Sequence, residues 1–384
     1  MSDLKARLPS WSGKVFGIAV LAAAILFPFT QNEAGSWMNT AVIAMAYMVM
    51  ALGLNTVVGF AGLLDLGYVA FFALGAYSAG WFSSGFYVNA DIHVGVSGFL
   101  NQLPGIHFNW LIVVVLAAII CAVAGVIIGL PTLRLRGDYI AIVTLAFGEI
   151  IRVIAINGDE LHLPGSGSEW PLTAGRQGIT PVDQLQLPGL DPFNQLNLRP
   201  WYWTALGMML VILFITSRLR DSRLGRAWVA IREDEVAASS MGVPLVKTKL
   251  LAYAAGAAMG GMSGSFLGAY FNTVNADQFQ FGFSILILAM VILGGLGSIW
   301  GAMAGATALT VIQYQVIQAD AFKDIPGDLG FDFSLPDIQY LLYGFLLVLM
   351  MILRPQGLIP ERRRKLELTE GVGVDDAQLG THGV

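Results

Sequence analysis

The sequence is poor in cysteine and histidine. Cys121 is the single cysteine among 384 residues, so the chain cannot form an internal disulfide framework, and a cysteine metal cluster is excluded. The four histidines, His93, His107, His162 and His382, show no metal-ligand spacing. We therefore predict no metal site.

Motifs of enzyme active sites are missing as well. The sequence contains no G-x-x-x-x-G-K-S/T loop for ATP, no H-E-x-x-H and no G-x-S-x-G. We accordingly predict no catalytic residues, no cofactor bound by this chain and no nucleic-acid partner.

Charge is scarce, and the apolar residues are grouped. Charged residues make up 12% of the chain and hydrophobic residues 56%, whereas soluble domains are about one quarter charged. The apolar residues form blocks of about 17–25 residues, the length that a helix needs to cross a bilayer. We predict an all-α membrane protein with about ten transmembrane helices, in a range of eight to ten. The predicted spans are 15–30, 38–58, 62–82, 108–130, 138–156, 201–218, 249–271, 283–296, 300–317 and 338–354.

The first apolar run has the layout of a secretory signal, because Lys5, Arg7 and Lys14 precede Val15–Phe29. No small-x-small cleavage site follows it. We interpret this run as a short first membrane helix, after a cytoplasmic segment at 1–14.

Basic residues define the orientation. With the N-terminus inside, alternating spans place all of the 21 Lys and Arg residues in cytoplasmic segments except Arg152, Arg176, Arg199 and Lys323. This orientation puts loop 157–200 outside and loop 219–248 in the cytoplasm. The C-terminus is then cytoplasmic too, with a tail at 361–384 that we expect to be disordered.

Glycines interrupt two apolar runs, at Gly59–Gly67, which includes Asp65, and at Gly294–Gly301. Irregular backbone at membrane depth is tolerated where it lines a watery cavity or is buried in protein, so such breaks indicate a transport pathway. Close packing of helices through small residues explains them equally well.

The cytoplasmic loop has a helical pattern. Residues 226–241 are good helix formers, Gly242 suits a left-handed position after the helix, and Pro244 blocks continuation. The small residues at 237–240 would let another protein approach closely, and the acidic run at 233–235 would suit a basic partner. A solvated amphipathic helix is the alternative.

Several motifs resemble one transporter family. Residues 235–238 with Gly242 look like the EAA loop, the segment that docks into the ATPase subunit in permeases of ATP-binding-cassette (ABC) importers. Other motifs, in order from about residue 40 to 360, resemble the LivM-like permeases for branched-chain amino acids. These motifs are GLN at 53–55, GLLDLGY at 62–68, FFALGAY at 71–77, LRLRGDY at 133–139, AIVTL at 141–145, FGEI at 147–150 with Arg152, LGGLGS at 293–298 and RPQGLIP at 354–360.

The resemblance implies a type II ABC importer-like permease bundle at 15–360 in a bacterial inner membrane. Its expected partners are a second permease of similar fold, two ATPase subunits that hydrolyse ATP, an extracytoplasmic substrate-binding protein and the lipid bilayer. Branched-chain amino acids are the expected cargo. Related permeases carry urea, short amides or other amino acids, and a stand-alone secondary transporter is the remaining alternative. Residues 173–179 depart from the family pattern, which leaves the substrate open.

The resemblance and the helix pattern together indicate candidate site residues. For ATPase coupling they are Arg232, Glu233, Asp234, Glu235, Ala237, Ala238 and Gly242. For the substrate pathway they are Asn55, Asp65, Tyr68, Thr144, Glu149, Arg152, Gly294, Gly295 and Gly297. Glu149 and Arg152 are three residues apart, so we predict an ion pair on one helix face, turned away from lipid.

Overall fold

The structure is a computed structural model that describes residues 12–133, 138–162, 170–187, 192–319, 334–354 and 356–359. The predicted tail at 361–384, the N-terminal segment before residue 12 and the basic residues Arg134 and Arg136 lie outside the described residues.

The described residues are mainly helical, as predicted, and a helix occupies each of the ten predicted spans. In chain order the helices are α1 (Ser12–Thr30), α2 (Ser36–Leu54), α3 (Val69–Phe82), α4 (Trp110–Thr132), α5 (Asp138–Ile156), α6 (Arg199–Asp221), α7 (Arg223–Glu233), α8 (Glu235–Ser240), α9 (Leu245–Phe271), α10 (Phe281–Gly294), α11 (Ile299–Val311) and α12 (Gln339–Leu353). Helices α7 and α8 form the predicted cytoplasmic loop. Wider π-helical turns extend α2 over Asn55–Phe60 and α11 over Ile312–Ile317.

Several of these helices have the length and composition of membrane-spanning helices. Six helical segments in the described part of the chain are long and apolar enough to cross a membrane: 36–60, 110–132, 139–156, 199–221, 245–271 and 335–353. Shorter apolar helices lie at Leu21–Thr30, Val69–Phe82 and Phe281–Gly294. The chain is a multi-pass membrane protein.

The third predicted span is wrong at its beginning. The sequence predicts a helix over 62–82, but residues 61–68 are not helical and α3 begins at Val69. The physical reason is local: Gly62 has a φ of 70°, a conformation that interrupts a helix. The result is a short helix preceded by irregular backbone.

Helix α9 lies at the centre of the bundle and packs against α2, α3 and α4. Its central residues are small, with glycines at 256, 260, 261, 264 and 268. Small residues let backbones approach, which is how membrane helices gain contact area. Its small face therefore forms the scaffold against which the irregular segment before α3 is held.

A small sheet covers one end of the bundle, in the segments predicted to lie outside. It contains β1 (Ser83–Ser84), β2 (Asp91–Val94) and β3 (Gly105–Phe108), in the order β1-β3-β2. Strand β3 is antiparallel to β1 and parallel to β2. His107 Nδ1 and Asp183 Oδ2 are 2.6 Å apart and join this sheet to the long outer loop. Burial raises the pKa of Asp183, and the hydrogen bond with His107 opposes that rise.

Candidate functional site

The break between α2 and α3 lies deep within the bundle. The Tyr68 hydroxyl donates a 2.6 Å hydrogen bond to the carbonyl oxygen of Gly256, which is near the middle of the 27-residue helix α9. The backbone amide of Val69 donates to the Ser284 hydroxyl of α10 at 3.2 Å. Because both partners belong to other helices of the bundle, the irregular backbone is buried in protein, the condition under which such backbone is tolerated at membrane depth.

Helix α5 holds the same break from another side. The amide of Leu66 donates to the Thr144 hydroxyl at 3.0 Å, and that hydroxyl donates to the Ala141 carbonyl at 3.0 Å. A Cβ at Gly67 would overlap the Thr144 carbonyl oxygen, so only glycine permits this approach. The structure therefore brings Thr144 and Tyr68 to one break, each bonded to backbone. Contact of either side chain with a substrate stays a prediction.

Asp65 is buried at the break. Its Oδ1 accepts a 2.9 Å hydrogen bond from the Gly67 amide. Its Oδ2 is buried and has no hydrogen-bond partner among the described residues. A buried carboxyl oxygen without a partner is energetically unfavourable, and a role of Asp65 on the substrate pathway stays a prediction.

Asn55 joins the first break to the second. Its Oδ1 accepts a 2.9 Å hydrogen bond from the Gly297 amide in the turn between α10 and α11. Gly59, one turn further along α2, packs against both Asn55 and Gly297. Two regions more than 230 positions apart in the sequence therefore meet at one point.

The second glycine run is a tight turn between antiparallel helices. Gly295 and Gly297 have φ values of 121° and 82°, and α10 approaches α11 so closely that a Cβ at Gly294 would overlap the Gly301 carbonyl oxygen. The amides of Leu358 and Ile359 donate to the carbonyls of residues 293 and 294 at 2.8 and 2.9 Å. Close packing accounts for these glycines, while their place on a substrate path stays a prediction.

The predicted ion pair on α5 is present. Arg152 Nε donates to Glu149 Oε2 at 2.8 Å. The pair is on the flank of α5, between the buried face with Thr144 and Gly148 and the exposed face with Ile150. The two side chains are 28% and 37% exposed in the isolated chain, so this chain alone does not enclose them.

The loop predicted to be cytoplasmic forms two helices where the sequence predicts one. The expected helix over 226–241 is wrong, because α7 ends at Glu233 and Asp234 adopts an extended conformation. The Asp234 carboxylate accepts hydrogen bonds from the amides of Val236 and Ala237, at 2.8 and 2.9 Å, and so caps α8. Aspartate competes with helical backbone bonding in this way. Gly242 does end the second helix, with a φ of 84°.

The three acidic residues at 233–235 have different surroundings. Glu233 is exposed at the end of α7, and Asp234 caps α8. Glu235 forms a 2.8 Å ion pair with Lys249 at the start of α9, which holds α8 near the bundle.

Arg232 is the link between these helices and the break. Its guanidinium donates a hydrogen bond to the Gly59 carbonyl oxygen, and its aliphatic stem packs against Gly62. Trp228, on the same helix, is fully buried and donates to the Thr248 carbonyl at 2.7 Å. Helix α7 is therefore anchored at two points to the membrane bundle.

The exposed apolar residues of α8 were missed by the sequence reasoning. Ala238, expected to face a partner, is only 5% exposed and packs inside the chain, whereas Met241 is 85% exposed and Val236 is exposed as well. The small residues at 237–240 suggested a partner surface from size alone. The signal that was overlooked is a large apolar residue at each end of a run of small residues, Val236 before it and Met241 after it.

The divergent segment of the outer loop is packed against α5. The Thr173 hydroxyl donates to the Ala155 carbonyl at 2.7 Å and accepts from the Gly175 amide at 3.1 Å. Ile179 pairs with Val274, just after α9. The segment thus packs against the C-terminal end of α5, beyond Glu149 and Arg152.

Comparison with known proteins gives matches along nearly the whole chain. Residues 36–351 match the family described as branched-chain amino acid transport system / permease component. The high-affinity branched-chain amino acid transport system permease protein LivM of Salmonella typhimurium is 35% identical over 97% of this chain and 82% of its own length. A probable branched-chain amino acid transport permease protein LivM of Methanocaldococcus jannaschii is 26% identical over 82% of this chain and 91% of its own length.

A shorter match covers a second kind of permease. The protein LivH of Salmonella typhimurium, also named a high-affinity branched-chain amino acid transport system permease protein, is 35% identical over 29% of this chain and 35% of its own length. No solved structure matches the chain. The match of the family model over most of the sequence, and the identity with LivM across nearly all of it, place this chain in the family of permease components of branched-chain amino acid transport systems.

Proposed function

We propose that this chain is the membrane permease subunit of an ATP-driven importer that moves branched-chain amino acids into the cell. Two ATPase subunits bind at the cytoplasmic helices and hydrolyse ATP, and a soluble binding protein delivers substrate on the other side. The chain lies in a bacterial inner membrane with both termini in the cytoplasm. The distribution of Lys and Arg residues supports this orientation.

The contact between Arg232 and Gly59 carries the proposal. Arg232 belongs to α7, on the cytoplasmic segment, and Gly59 belongs to the π-helical extension of α2. Asn55, four residues before Gly59, in turn holds the turn between α10 and α11. A movement of α7 and α8 is thereby passed to both glycine breaks through hydrogen bonds. Such a connection is what a permease driven by a separate ATPase requires.

The ATPase contact surface consists of the exposed residues of α8 and of the turn after it. Val236 and Met241 supply apolar area, while Glu233 supplies an exposed charge. A surface with apolar side chains and a charged rim is typical of protein interfaces. Capping by Asp234 and the ion pair between Glu235 and Lys249 keep this surface in one arrangement relative to the bundle.

A second permease completes the pathway. The partly exposed ion pair on α5 and the exposed side of helix α12, with Leu341, Phe345 and Ile352, both leave membrane faces of this chain uncovered. The relatives support a second subunit, since LivM and LivH of Salmonella typhimurium are both named permease proteins of a high-affinity branched-chain amino acid transport system.

Uptake by the assembled system in liposomes tests the proposal. Radiolabelled leucine should accumulate only with ATP, both ATPase subunits and the binding protein present. Unlabelled valine and isoleucine should compete with it, and urea should not. Competition by urea but not by valine would assign the chain to the amide and urea branch of the family. Leucine uptake without any ATPase subunit would identify a secondary transporter.

A further inference from the structure

The ion pair on α5 lies near the middle of the membrane. Helix α5 has 19 residues and is about 28 Å long, close to the thickness of the hydrocarbon core. Glu149 lies about 3 Å and Arg152 about 7.5 Å from its midpoint along the helix axis. The other ion pairs that the structure describes lie in loops or near helix ends. This pair therefore has an environment that those pairs do not share.

Facing acyl chains would be energetically costly for such a pair. Charged side chains within a membrane-spanning segment almost always face the protein interior or a water-filled cavity. Glu149 is 37% exposed and Arg152 28% exposed in the isolated chain. Water or a second subunit must therefore cover this flank of α5 in the assembled transporter.

The flank continues directly from the helix break. Thr144, Gly148 and Arg152 recur every fourth residue and so lie along one side of α5. Thr144 binds the backbone of the break, and Gly148 packs against Gly67. Glu149 thus directly follows the contact with the break, and Arg152 lies about one turn further along α5, toward the segment that packs against its end.

The charges of the pair match those of an amino-acid backbone. A zwitterionic amino acid carries one carboxylate and one ammonium group on the same carbon atom. The guanidinium fork of an arginine binds a carboxylate through two parallel hydrogen bonds, and a glutamate accepts hydrogen bonds from an ammonium group. We propose that, on the import path, Arg152 binds the carboxylate and Glu149 the ammonium group of each passing amino acid. This inference rests on the proposed function, and it assigns recognition of the backbone, not of the side chain, to this chain.

This exchange of ion-pair partners keeps the net charge of the site at zero, both with and without cargo. Without cargo, Glu149 and Arg152 neutralise each other; with cargo, each neutralises one end of the zwitterion. When cargo binds, the ion pair between Glu149 and Arg152 is replaced by two ion pairs with the amino acid. Because the original pair must first be separated, the net affinity for the cargo is low. Weak binding suits a transport pathway, where a site must release what it has bound.

Replacement of both charges tests the assignment. The double variant Glu149→Gln, Arg152→Gln retains two side chains that can hydrogen-bond to each other, so a structural link between them is preserved. In liposomes containing the complete transporter, we expect leucine transported per ATP hydrolysed to fall at least tenfold. Arg152→Lys keeps the charge but loses the fork, and we expect an intermediate loss.

The matched control is another ion pair of this chain. Arg199 and Glu33 are also 2.8 Å apart but join the start of α6 to the segment after α1. The double variant Glu33→Gln, Arg199→Gln should transport leucine within about twofold of the wild type. All values are divided by the amount of folded complex, measured by size-exclusion chromatography, so that a loss of folding is not counted as a loss of recognition.

Two results would overturn the inference. The first is wild-type leucine transport per ATP in the Glu149→Gln, Arg152→Gln variant. The second concerns Leu145→Cys, a partly exposed position one turn before Glu149 on the same flank, since the native Cys121 is buried. A water-soluble maleimide should label this cysteine, and leucine during turnover should slow the labelling; a cysteine that only lipid-soluble reagents reach would place the flank against lipid. Transport of urea in place of leucine by the wild type would instead refute the proposed function, and with it this assignment.

Discussion

Arg232 donates a hydrogen bond to the carbonyl oxygen of Gly59, across 173 positions of sequence. One residue belongs to α7, in the segment predicted to be cytoplasmic, and the other to a π-helical turn that ends a membrane helix. A π-helical turn leaves backbone bonding irregular, and such turns are frequent at functional sites. The charged donor satisfies a carbonyl there and ties the two segments together.

We expect Arg232→Ala to separate ATP hydrolysis from transport. Hydrogen bonds to charged groups contribute about 1.5–3 kcal/mol, so losing this one should lower leucine transported per ATP by about tenfold or more. The measurement is leucine uptake and ATP hydrolysis in the same liposomes. The control is Arg226→Ala on the same helix, because Arg226 is exposed and its guanidinium donates to the nearby Asp221 carbonyl at 2.8 Å. Equal effects of the two substitutions would contradict a specific role for Arg232.

Met241→Asp should weaken the binding of the ATPase subunits without affecting folding. Met241 is 85% exposed, so the substitution leaves the interior of this chain unchanged but places a charge on the proposed contact surface. We expect at least tenfold less ATPase subunit to co-purify with the permease. The control is Val88→Asp, another exposed apolar residue, on the predicted outer side. Normal co-purification of the ATPase with Met241→Asp would move the docking surface elsewhere.

Ala238→Arg should act differently, because Ala238 is only 5% exposed within α8. A large charged side chain there cannot be accommodated without displacing α8. We expect a lower thermal unfolding temperature together with the loss of ATPase binding, whereas Met241→Asp should change only the binding. An unchanged unfolding temperature for Ala238→Arg would show that α8 tolerates displacement.

Gly357→Ala should destabilise the folded permease. Gly357 has a φ of 78°, and a Cβ there would overlap the backbone of Gly295. The left-handed conformation alone costs a non-glycine residue about 1–2 kcal/mol, and the overlap adds to it. Thermal unfolding in detergent should therefore occur at a lower temperature. Gly344→Ala is the control, since nothing lies within 4 Å of a Cβ at that position of α12, and alanine favours a helix more than glycine does.

Much of the fold was accessible from hydropathy. A bilayer imposes a length and a composition on each helix, so ten helices could be located from apolar runs. The ion pair between Glu149 and Arg152 was equally predictable, because residues three apart on one helix are neighbours wherever that helix lies. The start of α3 and the division between α7 and α8 could not be predicted from the sequence. Each depends on a few backbone angles, at Gly62 and at Asp234.

By itself, the sequence determined that this protein crosses a membrane many times, which segments form its helices and which transporter family it resembles, because these properties follow from composition and local motifs. Only the tertiary structure decided that Arg232 meets Gly59, that Asn55 meets Gly297 and that Ala238 is buried while Met241 is exposed. The first two relationships join residues far apart in the chain, and the third is set by what packs against α8. They depend on how the helices pack, and pairwise spacing in the sequence carries no information about that.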